Sequence, residues 1–366
     1  MVASFPAPRP RLTVNLSAVA ANYAKLRALA PRSSVAAVVK ADAYGLGATR
    51  VTEALAHAGC RDFFVATTEE GVALRTSVAG IDGARILVLG GITMEPGLIG
   101  VLNSPADVEM LKARARSTGQ VQPAVLHVDT GMNRLGLTMP DFEALCDDPT
   151  GLDGIRVVLV MSHLACADAP DAPENAVQQA RFTAVRARHP AVPASLANSA
   201  GTLLGAAYHF DVIRPGIALY GGNPQGTEAN LFHPTVTVEA PLLQVRLIDK
   251  GDSVGYAASY RAGGPTRIAT IAAGYADGFL RAASNRGSVV IGGHPAEIVG
   301  RVSMDLITVD VTALPDGVAI PGAMAQLLGP ERPLDEVASD ARTISYEVLT
   351  RLGGRLERHY VDGGEA

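Results

Sequence analysis

The sequence predicts an α/β protein with an N-terminal (β/α)₈ TIM barrel and a C-terminal domain built mostly from β-strands. The chain has 366 residues, which is too long for one small core and suggests two domains or a large barrel with an appendage. Before residue 220, short β-branched or apolar runs alternate with longer segments of helical period. After residue 231, the pattern changes to alternating strands separated by turn residues.

Eight short runs are the candidate barrel strands, because they are β-branched or apolar and are bounded by loop residues. Segments such as LSAVAANYAKLRALA, GATRVTEALAHAG and PENAVQQARFTAVRARH lie before or between them and have helical period. Eight strand-helix units favour a closed barrel over an open sheet. The runs occupy residues 35–39, 62–67, 85–90, 100–103, 123–129, 156–163, 193–198 and 210–214.

A stretch rich in Gly, Pro and Asn, LYGGNPQGTEANLFHP, marks the change of pattern. The strings TVTVEAPLLQVRLIDKGDSVGY and GSVVIGGHPAEIVGRVSMDLITVDVT then alternate in the way that half-buried strands do. The last segment, ISYEVLTRLGGRLERHYV, predicts a short helix, a loop and a final strand. We therefore expect a barrel over residues 1–231 and a β-rich domain over residues 232–366.

The composition excludes several classes of protein. An apolar content of 48 %, a charged content of 18 % and a net charge of −5 are those of a globular protein without a basic surface for nucleic acid. The three cysteines are odd in number and widely spaced, which suggests neither a disulfide framework nor a metal cluster. No segment has the apolar length of a membrane span or a signal peptide. We expect a cytoplasmic protein.

Five polar residues follow successive strand ends. In a barrel of this kind, the carboxyl ends of the strands form the face where active sites gather. Each residue alone has an ordinary explanation, such as a solvated arginine or a hydrogen-bonded core histidine. Together they indicate a site at Lys40, Arg134, His163, Ser199 and Arg214.

Small residues after the last two runs indicate where this site could bind a phosphate group. Ser199-Ala200-Gly201 follows the seventh run and Gly216-Ile217 follows the eighth, so backbone amides can approach a ligand at the usual phosphate position of the barrel. A phosphate held there, facing a lysine on the first strand, describes a site for pyridoxal 5'-phosphate, whose aldehyde condenses with that lysine.

Six motifs carry a family resemblance. VVKADAYGLG, VDTGMNRLG, ANSAG, IRPGIALYGG, GYADG and GRVSMDLITVDVT resemble, in order and spacing, the alanine racemase family. The resemblance implies interconversion of L-alanine and D-alanine on pyridoxal phosphate, either to supply D-alanine for peptidoglycan or to degrade it. It also implies a homodimer in which the β-rich domain of each subunit completes the active site of the other.

The resemblance assigns two bases. Lys40 is similar to the lysine that binds the cofactor, and Tyr256 in GDSVGYAASY resembles the opposing catalytic tyrosine. A racemase removes a proton from one face of a planar carbon and returns it to the other, so it needs acid/base groups on both faces. A tyrosine ordinarily ionises near pH 10, and His163 with Arg214 are candidates for the cations that would make it a better base.

Other site residues follow from the same resemblance. Arg214 matches the arginine at the pyridine nitrogen; since it cannot accept a proton, the ring stays neutral and side reactions are disfavoured. His163 also belongs to the cofactor site, and Arg134 with Met304 resembles the part that holds the substrate carboxylate. The phosphate set comprises Tyr44, Ser199, Gly216, Ile217 and Tyr360. The entrance lining, whose members could also be solvated charges or a packed tyrosine, comprises Asp168, Tyr275, Arg281 and Arg301.

One position departs from the family. Some members carry a lysine seven residues before the substrate-binding arginine and modify it to a carbamate that orients this arginine. Here that position is His127, which cannot be modified in this way. We expect His127 itself, a bound chloride or Asn133 to balance Arg134.

Three other functions compete with this interpretation. A barrel-only pyridoxal phosphate-binding protein without catalytic activity would lack the second domain and therefore Tyr256 and Met304. A decarboxylase of related fold would need a cysteine near the carboxyl end, and GRVSMDL has none. A racemase of serine or of broader specificity stays open, because one hydroxyl in a pocket is worth only ~1–3 kcal/mol. The bulky Tyr256, Tyr360 and Met304 favour alanine.

Overall fold

The structure, a computed structural model, describes residues 9–226 and 229–363. Its contacts divide the chain into two compact units. Within the described part, the barrel unit comprises residues 19–219, 223–226 and 229–232, and the β unit comprises residues 9–18, 220–222 and 233–363.

Short parallel strands build the barrel unit, and their order around the sheet is their order along the chain. They are β2 (Ser34–Val35), β3 (Ala37–Val38), β4 (Asp62–Val65), β5 (Arg85–Val88), β6 (Leu98–Leu102), β7 (Gln122–His127), β8 (Ile155–Met161), β9 (Ala194–Ser195) and β10 (Val212–Ile213).

The last strand, β10, completes the barrel because it forms hydrogen bonds with the first strand and with the segment that follows β9. Strands β3 to β9 form one sheet of seven strands, and β10 pairs in parallel with β2. The amide of Val38 bonds to the carbonyl of Pro215 at 3.0 Å, and the amide of Arg214 bonds to the carbonyl of Ala197 at 2.8 Å. Since β2 and β3 together form the first predicted run, the eight runs are the barrel strands, and the predicted fold class is confirmed.

Helices lie between these strands and place apolar residues in the core. Phe142 and Phe182 come from two of the helices and pack with Leu126 and Val160 from the strands. Local signals fix helix starts, for example at Ser104, whose side chain accepts a hydrogen bond from the amide of Asp107 in the first turn of the following helix. The helices are α1 (Leu16–Leu29), α2 (Lys40–Gly45), α3 (Ala48–His57), α4 (Thr68–Leu74), α5 (Pro105–Thr118), α6 (Met139–Asp147), α7 (Pro173–Arg188) and α8 (Ser199–Leu203), with 3₁₀ turns at Ala206–Tyr208 and Ile217–Tyr220.

The β unit is mostly strand, as predicted. Its strands are β1 (Arg11–Asn15), β11 (Val236–Ile248), β12 (Ser253–Val254), β13 (Tyr260–Arg261), β14 (Thr266–Ile271), β15 (Ser288–Ile291), β16 (His294–Ile298), β17 (Ile307–Asp310), β18 (Met324–Leu328) and β19 (Glu357–Val361). It also contains α9 (Leu334–Asp340), α10 (Ser345–Thr350) and 3₁₀ turns at Tyr256–Ala258 and Arg281–Ala283.

The main sheet of the β unit closes on itself. Strand β14 pairs with β17 on one side and with β11 on the other, so the antiparallel order β14-β17-β16-β15-β18-β11 forms a ring. Strand β1 pairs antiparallel with β11 and parallel with β19, and these two strands extend the sheet. Across residues 9–226 and 229–363, no helix has the length and apolar character to cross a membrane.

Candidate active site

The carboxyl ends of the barrel strands carry the polar residues that the sequence analysis singled out. Lys40 follows β3, His163 follows β8, and Arg214 follows β10. Ser199 begins α8 after β9, and Arg134 lies in the loop between β7 and α6. Because these strands are parallel neighbours in one barrel, the five residues lie at the same end of it.

A left-handed turn presents Lys40. Residues Ala41 to Tyr44 all have positive φ, between 52° and 58°. Such a turn of non-glycine residues costs about 1–2 kcal/mol per residue and persists only where the surroundings hold it. Here the carboxylate of Glu70 accepts the amide of Ala41 at 2.7 Å, and that of Asp42 accepts the amide of Ala48 at 2.7 Å. The backbone after Lys40 is therefore strained and anchored.

The electrostatic surroundings of Lys40 favour a nucleophilic amine. The side chain is half-buried, and its pKa is lowered by burial first and then by the charge of Arg134. Glu70 opposes this shift. A lysine with a lowered pKa has more of the neutral amine that attacks an aldehyde.

Arg214 is a buried cation with fixed orientation. Only 4 % of the residue is exposed, and its Nη2 donates to the carbonyl of Ser162 while its Nη1 donates to Oγ of Ser195, each at 2.5 Å. Burial lowers its pKa to about 10, so it remains protonated at neutral pH. Its guanidinium lies 6.0 Å from the ring centre of Phe64. An arginine has only donors, so a ring nitrogen that it contacts must be an acceptor.

A tight cradle forms where the last two barrel loops meet the turn after Lys40. Oγ of Ser199 accepts the amides of Gly216 at 2.9 Å and Ala218 at 3.2 Å. A Cβ atom on Gly216 would lie 2.2 Å from Oη of Tyr44, which is itself buried. Ile217 is fully buried beside them. Backbone amides, hydroxyls and a glycine that allows close approach fit a phosphate group.

The substitution Gly216→Ala tests this cradle. We expect the variant to bind pyridoxal phosphate about tenfold more weakly or worse, because the new methyl group must displace Tyr44 within a packed site. Titration of the apoenzyme, followed by absorbance, measures this affinity. Gly263→Ala is the control, since a Cβ there meets nothing within 4 Å. An affinity equal to that of the wild type would exclude the cradle as the phosphate site.

His163 is neutral rather than cationic. Burial lowers its pKa to about 3, and the charge of Arg214 and then that of Arg134 add to this effect. The backbone carbonyl of His163 accepts a hydrogen bond from Gln178 at 3.0 Å. His163 and Arg214 were both predicted as candidate cations, and the prediction for His163 is wrong because burial keeps its imidazole neutral. Arg214 carries the charge at neutral pH.

His127 is also neutral, and its tautomer follows from its partner. Nδ1 of His127 lies 2.7 Å from Oδ1 of Asn103. The amide nitrogen of Asn103 donates to the carbonyl of Leu89 at 3.1 Å, so Oδ1 is the acceptor and Nδ1 of His127 carries the proton. Burial, followed by the charge of Arg214, lowers the pKa of His127 to about 4. In this tautomer Nε2 is an acceptor.

The depressed pKa of His127 makes stability depend on pH. An ordinary histidine in the unfolded chain ionises near pH 6.5, so below that pH protons favour unfolding until His127 itself ionises near pH 4. Between pH 7.5 and pH 5, His127 alone is expected to lower the free energy of unfolding by about 2 kcal/mol. Urea unfolding at both pH values should show a smaller loss for His127→Gln than for the wild type. An equal loss in both proteins would contradict the neutral state of His127.

The candidate residues of the β unit differ in exposure. Tyr256, on a 3₁₀ turn, is 71 % exposed, and Met304 is 53 % exposed. Tyr275, 42 % exposed, lies in a loop that is bonded to the Met304 loop. Tyr360 is half-buried on β19. The other entrance candidates are exposed as well: Arg281 and Arg301 in the β unit and Asp168 in the barrel unit.

Three supporting residues were missed from sequence. Glu70 accepts the amide of Ala41 in the turn after Lys40, and it also completes a capping box with Thr67 at the start of α4. The three-residue spacing of Thr67 and Glu70 is the sequence pattern of a capping box and could have indicated this helix start. Gln178 and Asn103 act through tertiary hydrogen bonds that no local pattern reveals. Over residues 9–226 and 229–363, no group of three or more His, Cys, Asp or Glu side chains is placed to hold a metal ion.

Comparison with known proteins decides the family. The profile of the alanine racemase N-terminal domain matches residues 14–224, and that of the alanine racemase C-terminal domain matches residues 235–360. The chain belongs to the alanine racemase family. It is 49 % identical over 357 residues to the alanine racemase of Rhodospirillum rubrum, with 95 % of each chain covered. It is 46 % identical to the catabolic alanine racemase of Agrobacterium fabrum, covering 96 % of this chain and 92 % of that one.

Solved alanine racemases have the same fold. The crystal structure from Bartonella henselae, which holds covalently bound pyridoxal phosphate, superposes with a TM-score of 0.91 at 39 % identity and covers 96 % of this chain and 99 % of that chain. The biosynthetic alanine racemase of Pseudomonas aeruginosa gives a TM-score of 0.88 at 35 % identity. The resemblance stated from the six motifs is thereby confirmed.

Proposed function

We propose that this chain is a pyridoxal phosphate-dependent racemase that interconverts L-alanine and D-alanine. One observation carries the proposal: three features lie at the same end of the barrel. They are the Lys40 amine with its lowered pKa, the buried cation of Arg214, and the cradle of Ser199 and Gly216. Membership of the alanine racemase family supports the same reaction.

The residues of the barrel unit fit the cofactor. Lys40 would bind its aldehyde, the cradle of Tyr44, Ser199, Gly216 and Ile217 would hold its phosphate, and Arg214 would donate to its ring nitrogen. We assign this role to the barrel domain of residues 1–231. When bound, pyridoxal phosphate supplies an electron-withdrawing ring that stabilises negative charge on the substrate's α-carbon.

Two side chains would move the proton. The amine of Lys40 would take or return the α-proton on one face of the substrate, and the phenol of Tyr256 would act on the other face. Because Arg214 offers only donors, it would keep the cofactor's ring nitrogen unprotonated and restrict charge delocalisation. Arg134 and Met304 would hold the substrate carboxylate, and Tyr360 would add to the phosphate contacts.

A homodimer with shared sites would explain the exposed residues of the β unit. In the single chain, Tyr256 is 71 % exposed and Met304 is 53 % exposed. A partner subunit that covers both side chains would place them in an enclosed site beside the substrate. We propose that residues 232–366 of one subunit complete the site of the partner, with Asp168, Tyr275, Arg281 and Arg301 at its entrance.

Subunit exchange between two inactive variants tests the shared site. Lys40→Ala and Tyr256→Ala homodimers should each be nearly inactive, since every site lacks one base. Random pairing makes about half of the dimers mixed, and each mixed dimer has one site with both bases, so activity should return to roughly a quarter of wild type. No recovery, with exchange confirmed by native mass spectrometry, would mean that both bases come from one chain.

Chiral analysis tests the reaction itself. The purified holoenzyme incubated with L-alanine should produce D-alanine, and the reverse reaction should also proceed. Serine is the matched competing substrate, because its extra hydroxyl must be accommodated beside Tyr256, Tyr360 and Met304; we expect its kcat/KM to be lower. Absence of D-alanine at any enzyme concentration would overturn the proposed function, and a higher kcat/KM for serine would overturn the assigned substrate.

We also propose a cytoplasmic location. Free thiols support it, because Cys60, Cys146 and Cys166 are all unpaired. Cell fractionation with a periplasmic marker as reference would test it, and recovery with that marker would contradict it.

A further inference from the structure

Arg355 joins two loops of the β unit. One loop, residues 274–278, carries Tyr275, and we call it the tyrosine loop. The other, residues 303–306, carries Met304, and we call it the methionine loop. Nη1 of Arg355 donates to Oδ1 of Asp305 in the methionine loop at 2.7 Å. Nε of the same arginine lies 3.0 Å from Oδ1 of Asp277 in the tyrosine loop. One guanidinium thus forms ion pairs with both loops.

Backbone hydrogen bonds already bring the two loops together. The amides of Tyr275 and Ala276 donate to the carbonyls of Ser303 and Met304, each at 3.0 Å. The approach is so close that a Cβ on Gly274 would lie 2.4 Å from both of those carbonyl oxygens. The backbone of the methionine loop is therefore in direct contact with the segment that holds Tyr275.

The tyrosine loop is the fixed side of this arrangement. Asp277 is only 3 % exposed, and its Oδ2 accepts the amide of Gly274 at 2.9 Å. Its backbone carbonyl accepts the amide of Gly353 at 3.0 Å, two residues before Arg355. Removing the cation that pairs with a buried carboxylate is destabilising, so we expect the Arg355 contact with Asp277 to contribute to the stability of the fold.

The contact with Asp305 has no such role. The side chain of Asp305 is 57 % exposed and that of Arg355 is 52 % exposed, so water could solvate both charges. Exposed ion pairs contribute little to stability. The Arg355–Asp305 pair is therefore expected to add little to stability, and it lies directly beside Met304 in the chain.

We propose that Arg355 is a positioning residue that holds the methionine loop against the tyrosine loop and so fixes the spacing between Met304 and Tyr275. This inference rests on the proposed function, in which Met304 meets the substrate carboxylate and Tyr275 lines the entrance. Arg355 acts through these two loops rather than on the reacting atoms.

Asp305→Ala is the decisive variant, because it removes the exposed arm and leaves Asp277 paired. We expect KM for alanine to rise about threefold to fivefold, with kcat within about twofold of wild type, since exposed pairs are worth at most a factor of this size. Hydrogen exchange of the holoenzyme, measured by mass spectrometry, should accelerate by a similar factor at the amides of Tyr275 and Ala276. Thermal stability should not change.

Three further variants complete the experiment. Arg351→Met is the matched control, because this exposed arginine of the same segment pairs with Glu347 and not with either loop. It should have wild-type KM and wild-type exchange. Arg355→Met should show the kinetic effect together with lower thermal stability, because Asp277 loses its cation. Compared with Arg355→Met, the variant Arg355→Lys should recover most of the thermal stability but less of the wild-type KM. One ammonium group can pair with Asp277, but it cannot span both carboxylates as a guanidinium does.

The outcomes separate the two proposals. Wild-type KM and wild-type exchange in Asp305→Ala would overturn the positioning role and leave Arg355 as the cation of Asp277 alone. A fall in thermal stability of Asp305→Ala comparable to that of Arg355→Met would likewise replace positioning by a purely structural role. If the wild-type protein did not racemise alanine, the proposed function would fail, whereas the exchange rates of Tyr275 and Ala276 would still report whether Arg355 holds the loops.

Discussion

A Lys40→Ala variant is expected to have no measurable racemase activity and no covalently bound pyridoxal phosphate. The chain has four lysines, and the other three occupy different surroundings. Lys25 bonds to the carbonyl of Leu231, Lys112 pairs with Glu109, and Lys250 is exposed after β11. Of the four, Lys40 lies at the strand-end site, where burial and Arg134 lower its pKa. The variant loses both the covalent link and one base.

Borohydride reduction measures the covalent link directly. In the wild type, reduction followed by proteolysis and mass spectrometry should locate the cofactor on Lys40 and should abolish activity. In Lys40→Ala, no lysine should carry the adduct. Lys250→Ala is the control and should keep wild-type activity, since this exposed side chain lies outside the site. A stable adduct on another lysine of the wild type would refute the assignment of the first strand.

The barrel could be predicted because each strand is a local apolar run. The runs at 62–67 and 85–90 contain β4 and β5, and the run at 156–163 overlaps β8, so the residue that follows each run could be placed at the carboxyl end of a strand. Strand lengths could not be predicted. The run at 193–198 yields only Ala194–Ser195, because the length of a strand depends on its neighbour's hydrogen bonds and not on its own apolar residues.

Two features of the fold have no local signal in the sequence. Strand β1, RLTVN, pairs with β11 and β19, more than 200 residues away, and a pairing of that range leaves no mark in a short window of sequence. The turn at residues 41–44 winds left-handed although none of its residues is glycine. The carboxylate of Glu70 accepts the amide of Ala41 and the carboxylate of Asp42 accepts the amide of Ala48, and these hydrogen bonds help to hold the turn against the right-handed preference of the backbone.

The positions of the candidate site residues could be predicted better than their charge states. The position of Lys40, His163 and Arg214 at strand ends could be predicted from local runs, but the neutral state of His163 follows from burial next to Arg214 and Arg134. The partner of His127 was equally hidden, since Asn103 belongs to another strand-end loop. Side-chain charge depends on packing in three dimensions, whereas side-chain identity can be read along the chain.

Tyr256→Phe should lower kcat for racemisation by about 10²–10⁴-fold, the usual effect of removing a general base. The phenol is 71 % exposed in the single chain, so its loss removes no core packing, and cofactor binding and thermal stability should be unchanged. Tyr260→Phe is the matched control, four residues away on β13, and should keep most of the activity.

Exchange in deuterated water shows which base remains. With both bases present, the α-proton of either enantiomer exchanges with solvent. In Tyr256→Phe, Lys40 still reaches one face of the substrate, so one enantiomer of alanine should exchange its α-proton without inversion while the other exchanges far more slowly. Because this asymmetry requires two bases on opposite faces, equal slowing for both enantiomers would refute the two-base mechanism even if racemisation were lost.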